Sequence, residues 1–398
     1  MRILLAYSGG LDTSWLVGWL TRERNAAVTT LAVDCGGWSD EERAALATRA
    51  RALGAVDHRL VDARGELFER VLRWLIAGNV RRGGVYPLSV GAERGLQAEV
   101  LARVARAEGF DAVAHGCTAA GNDQVRFEAA LATLAPELNV LAPVRDLAPS
   151  RADQRAWLEC ENLPVPPAGG TYSINQGLWG LTIGGGTMHG SDQPLPEEAW
   201  QWTRGGTGQR TLTLDFEGGV PVALDGRART PVELIEALNR EAGALGVGRG
   251  YHLGDTVLGI KGRIAFEAPA AEVLLAAHRE LEKLVLIEDQ RFWKDHLGEV
   301  YGRRLHAGLF HDPLQRDIEA FLGSSQVRVS GRATVRLEGG AVRVEGVSSP
   351  FSLMSVSDAR YGERAASDAS PGSALGLARV LAEPGRLHRR AASLEVVS

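Results

Sequence analysis

The run Ser8-Gly9-Gly10-Leu11-Asp12-Thr13-Ser14 places two glycines, three hydroxyls and one carboxylate within seven residues. Glycines let the backbone turn with its N–H groups outward, and a helix starting behind them adds the positive end of its dipole, so this turn is suited to an anion. No lysine follows it, and the P-loop pattern is therefore not met. A second polar run extends from His115 to Glu128. Within it, Thr118 and Asn122 can donate to carboxylates, Asp123 can accept from an ammonium, and Arg126 offers a planar guanidinium fork. Together the two runs describe an anion-binding turn beside a polar loop that can pair with charged groups of a ligand. His115, a single imidazole at a strand end, reads as a satisfied core group without a catalytic role. Cys35 and Cys117 read as small buried thiols beside the ligand.

The surrounding elements must bring these runs together. Residues 3–6 are an apolar run of strand length, and 13–23 has helical spacing through Trp15, Leu16, Trp19 and Leu20. Residues 28–34 predict a second strand, ending at Cys35-Gly36-Gly37. Ser39 and Glu42 form a capping box for a helix over 42–53, and 58–62 predicts a third strand. Helical spacing over 92–108 precedes a buried strand at 112–114, whose end is the polar run at 115. Strand and helix alternating in this way imply right-handed βαβ units, hence a parallel sheet whose ligands gather at the carboxyl ends of the strands.

After a helix over 150–161, prolines 164, 166 and 167 mark a boundary over 164–170. The signals beyond it are antiparallel: strands at 211–216 and 220–224, a capped helix from Thr230, a long helical region over 269–321, and a hairpin of 326–337 with 341–347. The tail after Tyr361 is rich in Ala, Ser, Gly and Arg, with one helix expected over 373–381. The expected fold class is α/β, with a parallel-sheet nucleotide-binding domain over 1–165, an α+β domain over 166–362 and a C-terminal arm over 363–398.

With 398 residues, 45% apolar and 23% charged, the chain has the composition of a globular protein of more than one domain. A net charge of −5 gives no general attraction to nucleic acid or to anionic membranes. Three scattered cysteines have neither metal spacing nor a disulfide pattern, which fits a reducing cytoplasm. No metal-ligand cluster is legible, and no apolar run approaches membrane-spanning length. The first strand begins almost at once, without a basic-then-apolar leader.

The glycine turn resembles the SGGxDS/T loop of the N-type ATP pyrophosphatases. Joined to the 115–128 run, it makes the chain similar to the argininosuccinate synthase family from residue 1 to about Tyr361. The resemblance implies a cytoplasmic ligase of arginine biosynthesis, a homotetramer using Mg2+ and ATP, which condenses citrulline with aspartate and releases AMP and pyrophosphate. By position, Ala6, Tyr7, Ser8, Gly9, Gly10, Leu11, Asp12, Thr13, Ser14, Val33 and Gly116 would hold ATP. Thr118, Asn122 and Asp123 would hold aspartate, while Tyr86, Asn122, Arg126, Ser173 and Thr182 would contact citrulline. Ser8, Asp12 and Arg126 are the residues expected to act on the reacting groups.

The sequence also departs from the commoner family pattern. Ser89-Val90-Gly91 stands where that pattern has Gly-Thr-Ser, and Gly254 and Phe266 stand where it has Glu and Tyr; Thr182 keeps the hydroxyl of a family Ser. These changes fall on the citrulline side and keep open a paralogous aspartate ligase with another ureido or carbonyl acceptor. A non-catalytic nucleotide binder would not need Asn122, Asp123 and Arg126. A tRNA thiolase would use Cys35 and Cys117, but no CxxC or basic patch accompanies them. A glutamine-dependent relative would need an N-terminal nucleophilic cysteine, and Met1 occupies that position.

Overall fold

The computed structural model describes residues 1–167 and 169–395; Ala168, within the expected 164–170 boundary, and the last three residues of the arm lie outside the described residues. The chain forms two compact units, Met1–Phe351 and Ser352–Ser398.

The first unit begins with β1 (Arg2–Ala6), α1 (Leu11–Arg22), β2 (Ala27–Asp34), α2 (Asp40–Ala52) and β3 (Asp57–Asp62). A helical run follows as α3 (Arg64–Leu67), a π turn (Phe68–Leu72) and α4 (Arg73–Ala77). Then come α5 (Arg94–Glu108), β4 (Ala112–Ala114), α6 (Asp123–Leu134), β5 (Asn139–Leu141), α7 (Pro143–Leu147) and α8 (Arg151–Cys160). The five strands form one parallel sheet in the order β3-β2-β1-β4-β5. Chain order reverses between β1 and β4, so the loops after these two strands open onto one crevice. The sheet is covered on both faces because β1 carries apolar residues in both directions. Ile3 and Leu5 enter a cluster with Leu16, Leu20 and Leu158, whereas Leu4 joins one with Leu31, Leu96 and Val113. The capping box of Ser39 and Glu42 opens α2, and Ser150 with Asp153 opens α8 in the same way.

The rest of this unit is antiparallel sheet and helix. Strands β6 (Tyr172–Gly177) and β7 (Gly180–Gly185) join β11 (Arg249–Asp255) and β12 (Lys261–Glu267) in the order β11-β12-β7-β6. A second sheet, β10-β9-β8-β13-β14, uses β8 (Gln209–Glu217), β9 (Val220–Leu224), β10 (Arg227–Ala228), β13 (Gly331–Glu338) and β14 (Ala341–Ser348). The helices here are α9 (Pro231–Gly243), α10 (Pro269–Val285), α11 (Glu288–His306) and α12 (Pro313–Gln326). Residues 269–321, read from sequence as one helical region, are thus three helices. The first break falls at Leu286-Ile287, where the backbone is extended, and the second is set by the Asp312 cap before Pro313. The expected strand from 326 starts only at Gly331, because α12 runs to Gln326 and Val327–Ser330 turns the chain.

The second unit contains α13 (Leu353–Val356) and α14 (Pro371–Glu395), longer than the expected 373–381 and carrying Pro384 in its interior. Leu375, Leu377, Val380, Leu381 and Leu387 are each more than half exposed on it.

Candidate active site

The anion turn is held in place from behind. Gly9 has φ +74, a conformation that suits glycine, and a Cβ there would lie 2.5 Å from the Leu46 side chain. Arg49 of α2 donates to the Gly9 carbonyl at 2.7 Å, and Gly10 is the N-cap of α1. On the open side Ser8 Oγ lies 3.3 Å from Thr13 Oγ1, and Ser8 and Gly10 are exposed. Asp12 makes no cap bond. Its Oδ1 accepts from Gln154 Nε2 of α8 at 2.9 Å, which steers the carboxylate across the turn.

The turn forms one wall of a cavity of about 1280 Å3, larger than the roughly 300–1,000 Å3 of an ordinary single-ligand pocket. Ala6, Leu31, Val33 and Leu101 give it an apolar recess at the strand ends, of the character that accepts a flat base. Gly116, after β4, packs so closely on the turn that a Cβ would lie 2.9 Å from Thr13 Cγ2. Burial pushes the Cys117 thiol up to about 12 and raises Cys35 well above its ordinary range. Both stay protonated, the wrong state for a sulfur relay. Glu93 is buried beside them with Oε1 unbonded, and burial raises it well above the carboxylate range.

Further along the cavity, Asp123 is gripped by two guanidiniums. Arg126 Nη1 donates to its Oδ1 at 2.8 Å and Arg94 Nε to its Oδ2 at 2.9 Å. Burial would raise its pKa, but Arg94 and Arg126 outweigh that and hold it below the usual value. Arg126 Nε also donates to the His306 carbonyl at 3.0 Å, tying the start of α6 to the end of α11. Asn122 Oδ1 accepts from Val257 N at 2.8 Å, fastening the 115–122 loop to the β11–β12 turn.

Tyr86 is buried, with its ring 5.2 Å from Phe266 and stacked 5.6 Å from His252. Ser173 and Thr182 line the cavity from β6 and β7; Thr182 sits between Asn175 and Phe266 in the strand pairing. Behind His252, Arg82 donates from Nε to His252 Nε2 at 3.3 Å and from Nη2 to the Asp255 carbonyl at 2.5 Å. The His252 ring occupies the space beside Gly254, where a Cβ would lie 2.6 Å from Nε2.

The cavity therefore gathers Ala6, Tyr7, Ser8, Gly10, Leu11, Asp12, Thr13, Val33 and Gly116 with Tyr86, Thr118, Asn122, Asp123, Arg126, Ser173 and Thr182. Gly9 and Ser14 do not line it: Gly9 turns toward α2, and Ser14 is fully buried in α1. Their place is to shape the turn. Sequence reasoning missed Gln154, Arg94, His252 and His306 as parts of the site. For Gln154 a signal existed, since it is a polar residue on the buried stripe of an amphipathic helix, with Leu158 one turn on. His115 is buried against Phe127, with Glu128 3.5 Å away, and burial lowers its pKa; it lines the cavity and its Nε2 has no hydrogen-bond partner, so it is not the satisfied core group that the sequence suggested.

Comparison with known proteins agrees with this geometry. Residues 2–164 match the arginosuccinate synthase N-terminal HUP domain, and residues 172–383 match the arginosuccinate synthase C-terminal domain. The chain is 39% identical over 355 residues to the argininosuccinate synthase of Methanocaldococcus jannaschii, covering 88% of this chain and 89% of that one. It is 40% identical over 359 residues to that of Methanothermobacter thermautotrophicus, covering 89% of each. It is 39% identical over 365 residues to that of Symbiobacterium thermophilum, covering 90% and 91%.

Proposed function

Because the chain belongs to the argininosuccinate synthase family, we propose that it joins aspartate to the ureido carbon of citrulline, or of a close ureido relative, at the expense of ATP. The observation that carries this reading is the continuity of one cavity from the Ser8–Ser14 turn to the Asp123–Arg126 pair. A phosphate site and an amino-dicarboxylate site then open on a shared volume, where a third molecule can react with both.

In the first step the ureido oxygen attacks the α-phosphorus, and the bond to pyrophosphate breaks. The hydroxyls and N–H groups of the turn receive the leaving pyrophosphate. In the second step the aspartate amine attacks the activated carbon, and AMP leaves with the former ureido oxygen. Among the described residues no side chain is placed as an obvious general acid or base, so rate comes from positioning and from fixed donors facing the charge that develops. Thr118 and Asn122 suit the aspartate carboxylates and Asp123 its ammonium, while Arg126 beside them suits the acceptor.

Among the described residues no group of three or more His, Cys, Asp or Glu side chains is arranged to hold a metal by itself. Mg2+ is commonly bound by one or two carboxylates together with substrate phosphates, and Asp12 on the turn is a fitting carboxylate. The ion would neutralise phosphate charge there. We also divide the chain at 165/166, in line with the two family matches. A cytoplasmic homotetramer is the expected state; the exposed apolar residues of α14 support association with further copies, and light scattering measures it. No helix among the described residues is long and apolar enough to cross a membrane.

The test is incubation with ATP, aspartate and citrulline, with mass detection of argininosuccinate, AMP and pyrophosphate. ADP and free phosphate as the only products would refute the reading. Gly254 and Phe266, against His252 and Tyr86, favour a second reading in which the acceptor is a relative of citrulline.

A further inference from the structure

Resting on the ligase reading above, we infer that the turn between β11 and β12 orients a donor for aspartate. The Val257 N–H takes the oxygen of the Asn122 carboxamide and leaves its NH2 end facing the ligand. Val257 is thus a positioning residue for aspartate, although it stays off the cavity wall itself.

Asn122 is the N-cap of α6, a place where an asparagine oxygen ordinarily accepts from an N–H two or three residues on. Here the side chain makes no such bond. Its Oδ1 accepts instead from Val257 N at 2.8 Å, across 135 residues of sequence. A main-chain N–H can only donate, so the bonded end of the carboxamide is its oxygen and the other end is Nδ2. Nδ2 is turned away from the hairpin and has no acceptor among the described residues. Asn122 lines the cavity together with Thr118 and Asp123. The free NH2 is therefore a donor for a carboxylate, next to a side chain that suits an ammonium. Without the Val257 N–H, the Asn122 oxygen would be drawn back onto the first turn of α6 and the donor would leave the wall with it.

The hairpin is built to hold that N–H out. Gly259 N donates to Thr256 O at 3.1 Å and Thr256 N to Ile260 O at 2.8 Å, which makes Val257 the first central residue of a turn over Thr256–Gly259. Neither bond uses the Val257 N–H. Gly259 closes the turn at φ +82, a conformation that suits glycine. At the root of the hairpin Arg82 Nη2 donates to the Asp255 carbonyl at 2.5 Å. Leu258 and Ile260 are exposed, so burial of these two does little to fix the tip.

The experiment measures AMP release while aspartate, ATP and citrulline are varied in turn. Val257→Pro removes the N–H alone: proline suits the first central position of such a turn, and Val257 has no positive φ to oppose it. KM for aspartate should rise by about tenfold or more, as for a lost hydrogen bond to a charged group. KM for ATP, kcat at saturating aspartate and the melting temperature should hold. Val257→Ala keeps the N–H and should match the parent chain. An unchanged KM for aspartate in Val257→Pro, an equal loss in Val257→Ala, or a rise confined to the KM of citrulline overturns the inference and leaves the ligase reading intact. No AMP release by the parent chain removes both. If Val257→Pro does not fold, amide exchange on the parent chain decides, with ATP present and citrulline withheld. By linkage, saturating aspartate should slow exchange at Val257, and Asn122→Ala should abolish the slowing; exchange indifferent to aspartate overturns the inference.

Discussion

Gln154 Nε2 donates to Asp12 Oδ1 at 2.9 Å, while the amide oxygen of the same Gln154 is buried without a partner. The Ser8–Ser14 turn is thus aimed by a helix 142 residues further along the chain. Replacing Gln154 by Leu keeps the volume, removes an unsatisfied oxygen and frees Asp12 to rotate. A hydrogen bond to a charged group is worth about 1.5–3 kcal/mol, so kcat should fall roughly tenfold or more while the melting temperature holds or rises. Steady-state kinetics beside a thermal melt decide it.

Asp12→Ala should reduce turnover by at least about a hundredfold, since under the proposed function it removes the carboxylate that would face the phosphates and help hold Mg2+. Stability should fall by no more than about 1.5–3 kcal/mol, the worth of the hydrogen bond that Gln154 donates to Asp12. An activity loss that merely follows the unfolded fraction in a denaturant titration would reduce Asp12 to a structural residue.

Away from the cavity, Lys294 is fully buried on α11, with Nζ 3.0 Å from Glu282 Oε2 of α10, and Glu282 also accepts from Asn79 and Gln326. Breaking such a pair leaves a buried charge alone and costs about 3–5 kcal/mol. Lys294→Met should lose that much in urea unfolding, while Lys294→Met/Glu282→Gln should recover part of it. Turnover per folded molecule should be unchanged in both.

Acid dependence follows from two groups of opposite kind. Asp123 has a pKa below the ordinary 3.8 in the fold, so it contributes stability that is full above pH 3.8 and is lost as pH falls through its lowered value. His306 titrates at about 3 in the fold against 6.5 outside it, so the unfolded chain takes the proton first. It costs stability progressively as pH falls from 6.5 toward 3. Urea midpoints across pH 3–8 should therefore decline below 6.5, and His306→Gln should flatten the upper part of that decline. An unaltered slope would mean that His306 is already solvated.

The parts of the site that were legible in sequence are those built from neighbours in the chain. The Ser8–Ser14 turn and the 118–126 loop carry their chemistry within a few residues, and the order of strands around them implies the switch point. The β6-β7-β12-β11 sheet was not legible. Tyr172-Ser-Ile-Asn-Gln-Gly and Arg249-Gly-Tyr-His-Leu-Gly-Asp are polar and glycine-rich; each becomes a strand in a hairpin with the next segment, and the two hairpins are joined into one sheet only by the long-range pairing of β7 with β12. Gln154, Arg94 and His306 escaped notice for a related reason. Each acts on a residue that only tertiary structure brings near.

The link from Asn79 to Glu282 spans 203 residues, and this separation has a meaning in time. The run Phe68–Ala77 leaves the ribosome long before α10, against which Leu72, Leu75 and Ile76 share their core with Leu274 and Leu281. At about 5–20 residues per second, the interval is on the order of ten to forty seconds. For that period a growing chain exposes an apolar helical segment, and once β5 has been made it does so beside an otherwise complete parallel sheet, a natural target for a holding chaperone; slowing elongation between codons 80 and 280 would lengthen the exposure.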